Sequence, residues 1–360
     1  MYKLFEDENK KVINSENYNS ALDKNTGKFI RFGATFEEDP EYCEFGAEIL
    51  DLEISQGKCM GNCAFCYKEN GAVEESHNMT FEQFKNVFHK VAGTTLAQDD
   101  KGVFSYINTS PLGQIAFGIC DIGSNPEFFD MMAYSKANGV IPNYTCHGLD
   151  MNEEYAKKTA ELCGAVAVSV YNKEKSYNAI KMLTDAGMKQ VNIHFVLAEQ
   201  TYDKAFEIMN DIKTDERLKG LKAIVFLSYK AKGAGVGKFN SVTNEQFKSI
   251  IDYATENRIG IGFDSCGCHK YLNSIKDDAD YEQKAQYAEP CESSCFSSYI
   301  NCKGEFFACS FCEGEGMWKE GINVLEAKDF MNEVWNADKT KQFRELLLKN
   351  GRKCPMFKID

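Results

Sequence analysis

From Glu48 to Ser55 the order Glu-Ile-Leu-Asp-Leu-Glu-Ile-Ser alternates apolar and polar side chains, the period of a strand with one face buried. Downstream the texture repeats as a short apolar run, a loop, and a segment whose apolar residues recur every three or four positions. This pattern predicts further strands near Gln114–Gly118, Ile141–Thr145, Ala165–Val170, Gln190–Leu197, Lys222–Ser228 and Gly260–Phe263. Helices are predicted near Thr80–Val91, Pro126–Ala137, Asn152–Leu162, Lys173–Ala186, Tyr202–Ile212 and Asn244–Glu256. Thr80 and Asn152 have Glu in the following turn, as helix N-termini often do, and Gly187 and Gly220 fall where helices could stop. Strands alternating with helices imply a parallel sheet with right-handed crossovers. The count fits an α/β fold built as a partial (β/α)6 TIM-like barrel better than an open sheet.

The flanks read differently. Residues 1–46 are polar and irregular, with isolated aromatics, and are expected to wrap the barrel (47–263) as an N-terminal segment without forming a domain. From 264 to 360 the chain turns to cysteines, glycines and short aromatic runs, with no amphipathic helix expected until Val324–Leu347. This stretch reads as a cysteine-rich C-terminal extension.

Composition narrows the function. At 360 residues the chain can bury a large core, and its net charge of -13 argues against a broad phosphate-binding surface, so a nucleic-acid partner is disfavoured. No early segment combines a basic region, an apolar run and a cleavage site, and no stretch is apolar for long enough to span a bilayer; a soluble, cytoplasmic protein without a membrane partner is expected. Fifteen cysteines, an odd number, fit metal ligation better than a disulfide framework.

The first cluster is Gly57-Lys58-Cys59-Met60-Gly61-Asn62-Cys63-Ala64-Phe65-Cys66-Tyr67, directly after the first strand. The C-terminal end of a parallel strand is where α/β folds place chemistry. Three thiolates on one loop can hold three corners of an iron–sulfur cube, leaving one iron for an outside ligand. A zinc knuckle or buried structural thiols are the alternatives, although nothing local supplies zinc with a fourth ligand. The C-x3-C-x2-C-aromatic form resembles the loop of the radical S-adenosylmethionine (SAM) superfamily. That resemblance implies a [4Fe-4S] cluster whose open iron is chelated by SAM, cleavage of SAM to a 5′-deoxyadenosyl radical, and Tyr67 against the adenine. It also implies an electron donor such as a flavodoxin or ferredoxin.

The same resemblance implies SAM contacts at the ends of later strands. Gly118, in Phe117-Gly118-Ile119-Cys120-Asp121, takes the position whose backbone meets the SAM amino group, with Asp121 as an amine acceptor, although the sequence departs from the common Gly-Gly-Glu form. Thr145, Ser169, His194 and Leu197 follow on the third to fifth strands, Leu197 near the adenine. His147 is the polar group expected to face substrate, with a satisfied loop histidine as the alternative.

A second group comprises Cys266, Cys268, Cys291, Cys295, Cys302, Cys309, Cys312 and Cys354. Through Gly304-x4-Cys309 within an expected hairpin, it resembles the SPASM and twitch extensions that carry auxiliary clusters. Full SPASM spacing is not reproduced, so one auxiliary [4Fe-4S] cluster is expected, held by Cys266, Cys291, Cys309 and Cys354 from four separate loops. A structural zinc is the alternative, because Cys309-x2-Cys312 is also a zinc spacing. Lys230-Ala-Lys232-Gly233-Ala-Gly235 resembles a glycine turn of SPASM-type enzymes in which lysines could meet a carboxylate; a plain flexible loop is the alternative.

Two substrate classes compete. Length, Lys/Asn/Ile usage and the compact tail are similar to the queuine lyases, which implies bond cleavage of a small molecule, a 7-deazaguanine base, in its salvage. On that resemblance Asp264 or Glu292 would accept from the guanine-like face. The other class is a radical SAM maturase that cross-links or epimerises a ribosomal peptide, against which residues 1–46 have little apolar content for a leader-binding module.

Overall fold

The computed structural model describes residues 2–68, 75–98, 102 and 104–359. Seven parallel strands form its wall: β1 (Ile49–Glu53), β2 (Gln114–Gly118), β3 (Ile141–Cys146), β4 (Ala165–Ser169), β5 (Val191–Leu197), β6 (Ala223–Ser228) and β7 (Ile261–Phe263), each paired with the next. Strand β5 shows why they form: Val191, Ile193, Phe195 and Leu197 are buried on one face, and Asn192, His194 and Val196 occupy the other. Six helices return the chain between strands: α1 (Phe81–Val91), α2 (Phe128–Ala137), α3 (Glu153–Leu162), α4 (Lys173–Asp185), α5 (Tyr202–Thr214) and α6 (Asn244–Glu256). Thr80 caps α1 in a reciprocal box with Gln83, and Asn152 accepts from Tyr155 N to start α3. Gly187, at φ 95°, lies just past α4 as expected of a stop, whereas α5 ends at Thr214, ahead of Gly220.

The barrel is left unclosed, and the C-terminal region extends its sheet. Strand β8 (Ser297–Ile300) runs parallel to β1, pairing Ser297 with Ile49 and Ile300 with Leu52. Strands β9 (Glu305–Phe307) and β10 (Ile322–Asn323) follow antiparallel, and Gly304 turns the β8–β9 hairpin at φ 81°. Two expectations change here. Helix α7 (Cys268–Ile275) precedes residue 324, hidden in sequence because its buried face includes Cys268 and Lys270. The expected single helix over 324–347 is instead a π turn at Met331–Trp335 followed by a helix at Asp338–Lys349.

The N-terminal segment is not irregular. Lys3–Glu6, Lys10–Asn14, Asn19–Asp23 and Phe29–Phe32 form an antiparallel meander. Its alternation was masked because polar residues occupy inward positions: Lys11 is buried and donates to Leu112 O at 2.8 Å. Arg31 ties the meander to both other parts, pairing with Glu48 ahead of β1 at 2.8 Å and with Glu292 at 3.1 Å while stacking on Phe296 at 3.6 Å. Among the described residues no helix is long and apolar enough to cross a membrane.

Candidate active site and the two cysteine groups

A cavity of about 410 Å³ opens at the C-terminal ends of the strands. Gly118, Thr145, Ser169 and Ser228 line it from the strands, and Cys59, Cys63 and Cys66 line it from the loop after β1. Three contacts from other elements shape that loop. Asp121 accepts from Met60 N at 2.9 Å, Ser55 Oγ accepts from Cys120 N at 2.9 Å, and Cys66 O accepts from Ala234 N at 3.0 Å. The last contact requires glycine: a Cβ on Gly233 (φ 62°) would stand 2.4 Å from Cys66 O. The lysine–glycine segment after β6 is therefore the buttress of the cysteine loop.

The thiols fit a shared metal group. A Cβ on Gly61 would be 3.4 Å from both Cys59 Sγ and Cys63 Sγ, so glycine keeps the ground between them clear. Burial, then the charges of Cys66 and Cys59, push Cys63 up to about 12; burial likewise raises Cys59. Crowded thiols of this kind ionise when metal supplies the compensating charge. A tighter set, Cys59, Asp121 and His147, has ligand atoms within 4.8 Å of one another, but it omits Cys63 and Cys66, and its carboxylate and imidazole are already bonded together at 2.7 Å.

The expected SAM and substrate residues divide. Tyr67 lines the cavity and stacks on Phe311, centroids 4.1 Å apart. Gly118, Thr145 and Ser169 line it directly. Asp121 does not line it; its carboxylate is engaged by the loop and by His147. His147 does line the cavity, but Nδ1 accepts from Leu149 N at 2.9 Å, leaving Nε2–H to donate to Asp121, so neither nitrogen is free for substrate. His194 stands behind Thr145, with Nδ1 3.2 Å from Thr145 Oγ1, and burial pushes it down to about 4. Leu197 is a register error of one: it faces the buried layer, and Val196 lines the cavity in its place.

The two expected substrate carboxylates are both taken. Asp264 lines the cavity, but Oδ1 accepts from Ser228 N at 3.1 Å, Ser228 Oγ at 2.8 Å and Gly267 N at 3.2 Å, and Oδ2 pairs with Lys230 at 3.0 Å. Glu292 lies outside the cavity lining, on Arg31. Sequence reasoning missed a network around Lys68, which pairs with Glu53 at 3.0 Å and with Glu313 and donates to Tyr299 Oη at 2.7 Å. It also missed Asp51, an inward position of β1 that burial, then the charges of Cys309 and Glu292, push up to about 7. The available signal was Asp-Leu-Glu within a strand, two acidic side chains on one face.

The second cysteine group gathers beside this cavity. Cys266, Cys291 and Cys354 line a separate space of about 180 Å³. Cys309 does not line it, yet its charge acts on all three, and its sulfur is 3.4 Å from Cys312 Sγ. Burial is the first cause that raises Cys266, Cys291 and Cys354. His269 lines the same space, and its buried Nε2 has no hydrogen-bond partner among the described residues. A buried nitrogen left without a protein partner beside convergent thiols fits a group that the chain itself does not supply. Cys268, Cys295 and Cys302 are buried and outside that lining.

Solved structures share this architecture. The fold is similar to that of Streptococcus suis SuiB bound to precursor peptide SuiA, with TM-score 0.68 and 11% identity over 96% of this chain and 90% of that one. SuiB bound to S-adenosylmethionine gives 0.60 and 13% over 83% and 68%. Native anSMEcpe with bound AdoMet gives 0.60 and 15% over 85% and 86%. No protein-family model and no curated protein matches the sequence. At these identities the likeness is one of fold, and it establishes the α/β class expected from the sequence: a partial barrel whose sheet continues into a cysteine-rich C-terminal extension.

Proposed function

We propose that this chain is a radical SAM enzyme that takes hydrogen from a substrate held in the barrel cavity. The observation that carries the reading is that Cys59, Cys63 and Cys66 line the same cavity as the ends of β2, β3, β4 and β6. Those three thiolates would hold a [4Fe-4S] cluster, with SAM on the remaining iron. When bound, cluster and SAM supply one-electron cleavage of SAM and a 5′-deoxyadenosyl radical, given an electron from a donor such as flavodoxin or ferredoxin. The chain's residues hold the loop still: Asp121 and the Gly233 turn fix its two ends, and His147 orients Asp121. Gly118, Thr145 and Ser169 line the cavity where SAM would bind. Residues 47–263 carry this chemistry, and residues 264–360 add one auxiliary [4Fe-4S] cluster on Cys266, Cys291, Cys309 and Cys354. Anaerobically reconstituted protein should form 5′-deoxyadenosine from SAM and dithionite; failure to form it rejects the reading.

The substrate in this reading is a small molecule, and bond cleavage of queuine is the reaction favoured. Its support is the modest cavity together with the sequence resemblance. Loss of queuine with matching 5′-deoxyadenosine is the expected result, and unchanged queuine counts against it. Maturation of a ribosomal peptide is the second reading, favoured by the likeness spanning 90% of a SuiB chain solved with its precursor peptide.

A further inference from the structure

The charges lining the barrel cavity do not balance among the described residues. Its lining includes three carboxylates, Asp51, Glu53 and Asp264, and two ammonium groups, Lys68 and Lys230. Glu53 pairs with Lys68 and Asp264 with Lys230, each at 3.0 Å. Asp51 is the surplus. Among the described residues it has no hydrogen bond and no ion pair, and no cation contributes to its electrostatics. It sits mid-strand in β1, between Ala116 of β2 and Tyr299 of β8, two residues deeper than Glu53. What accessible surface it keeps is therefore cavity surface.

A carboxyl withdrawn from bulk water without a partner is costly, and natural interiors keep few such groups. The neighbouring carboxylates show what satisfaction looks like here, since both oxygens of Asp264 are filled by the chain itself. Among the described residues no donor reaches either oxygen of Asp51. A carboxylate with two free oxygens is matched best by a planar fork of two N–H donors, and an anionic group would meet the cavity's uncompensated negative charge. We propose that Asp51 anchors the substrate by receiving a planar N–C–N donor edge, as in an amidinium, a guanidinium or an aminopyrimidinone base. The assignment rests on the reading of this cavity as the substrate site, and it replaces Asp264 and Glu292 in that role.

Benzamidinium isolates the anchor from the rest of any substrate, and neutral benzamide matches its shape. Calorimetry on the reconstituted holoenzyme with SAM should show benzamidinium binding about tenfold or more tightly than benzamide. Asp51→Asn should weaken benzamidinium by about tenfold, with Asp51→Glu retaining part of the affinity. SAM affinity, measured on the same samples, reports whether the variants fold. Equal binding of the two probes to wild type, equal binding of benzamidinium to wild type and a folded Asp51→Asn protein, or no binding at all overturns the proposal. Guanine and N-acetylarginine amide as displacers separate a base from an arginyl peptide as the source of the edge. If benzamidinium binding depends on Asp51 but queuine is not consumed, the anchor stands and the queuine reading falls. If wild type forms no 5′-deoxyadenosine, the radical reading falls, and the probe pair alone decides the anchor.

Discussion

The two cysteine groups are assembled in opposite ways. Cys59, Cys63 and Cys66 share one loop, so chain connectivity alone keeps them near each other. Cys266, Cys291, Cys309 and Cys354 come from separate places in the extension and meet because the fold brings them together. Gathering distant residues costs loop-closure entropy, which a bound metal group offsets. The first group should therefore matter to chemistry and little to stability, and the second to both.

The sharpest way to break this contrast is Cys63→Ala. Deoxyadenosine formation should fall by at least about 100-fold and iron by about four per chain, with the melting temperature nearly unchanged. A large drop in melting temperature would mean that the first cluster also holds the fold. Asp264→Ala comes next, because it leaves Lys230 buried without its ion-pair partner; chemical denaturation should show a loss of about 3 kcal/mol. Cys354→Ala should also cost about four irons and lower the melting temperature by about 5 °C, because the C-terminal segment loses its tie to the rest of the extension. An unchanged melting temperature there would remove the distinction between the groups.

The smallest effect is read on barrel strand β5. His194 is held neutral in the folded protein, down to about 4, first because it is buried. In the unfolded chain it takes up a proton below its ordinary value near 6.5. Its contribution is complete above pH 6.5 and is lost as the pH falls towards 4, at about 1 kcal/mol per pH unit. Comparing wild type with His194→Gln across that window isolates this slope from buried Glu48 and Asp51, whose raised values act in the opposite direction. Identical slopes would show that His194 is not held neutral.

Much of the barrel was readable because its signals are local. The alternation in β2 and β5, the caps at Thr80 and Asn152, and the C-x3-C-x2-C spacing each lie within one short window. What escaped depends on which way a side chain points or what it meets across the fold. Leu197 and Val196 are adjacent in sequence and opposite in direction, so an uncertainty of one residue in register exchanged them. Asp264 and Asp51 look alike as acids near strands; Ser228 and Lys230 satisfy the first, and no described residue satisfies the second. The N-terminal meander was missed because buried Lys11, Asn19 and Ser20 stand where apolar residues would have marked the period.

The pairing of β8 with β1 has a consequence for how the protein is made. Strand β1 has β2 on one side and β8 on the other, and β8 lies about 250 residues later in sequence. During synthesis the first strand therefore waits with one edge unpaired until residues 297–300 have left the ribosome. Contacts of such long sequence separation form slowly, and open edges invite pairing with other chains. A nascent chain stopped just before Ser297 should be more prone to aggregate than one released a few dozen residues further on.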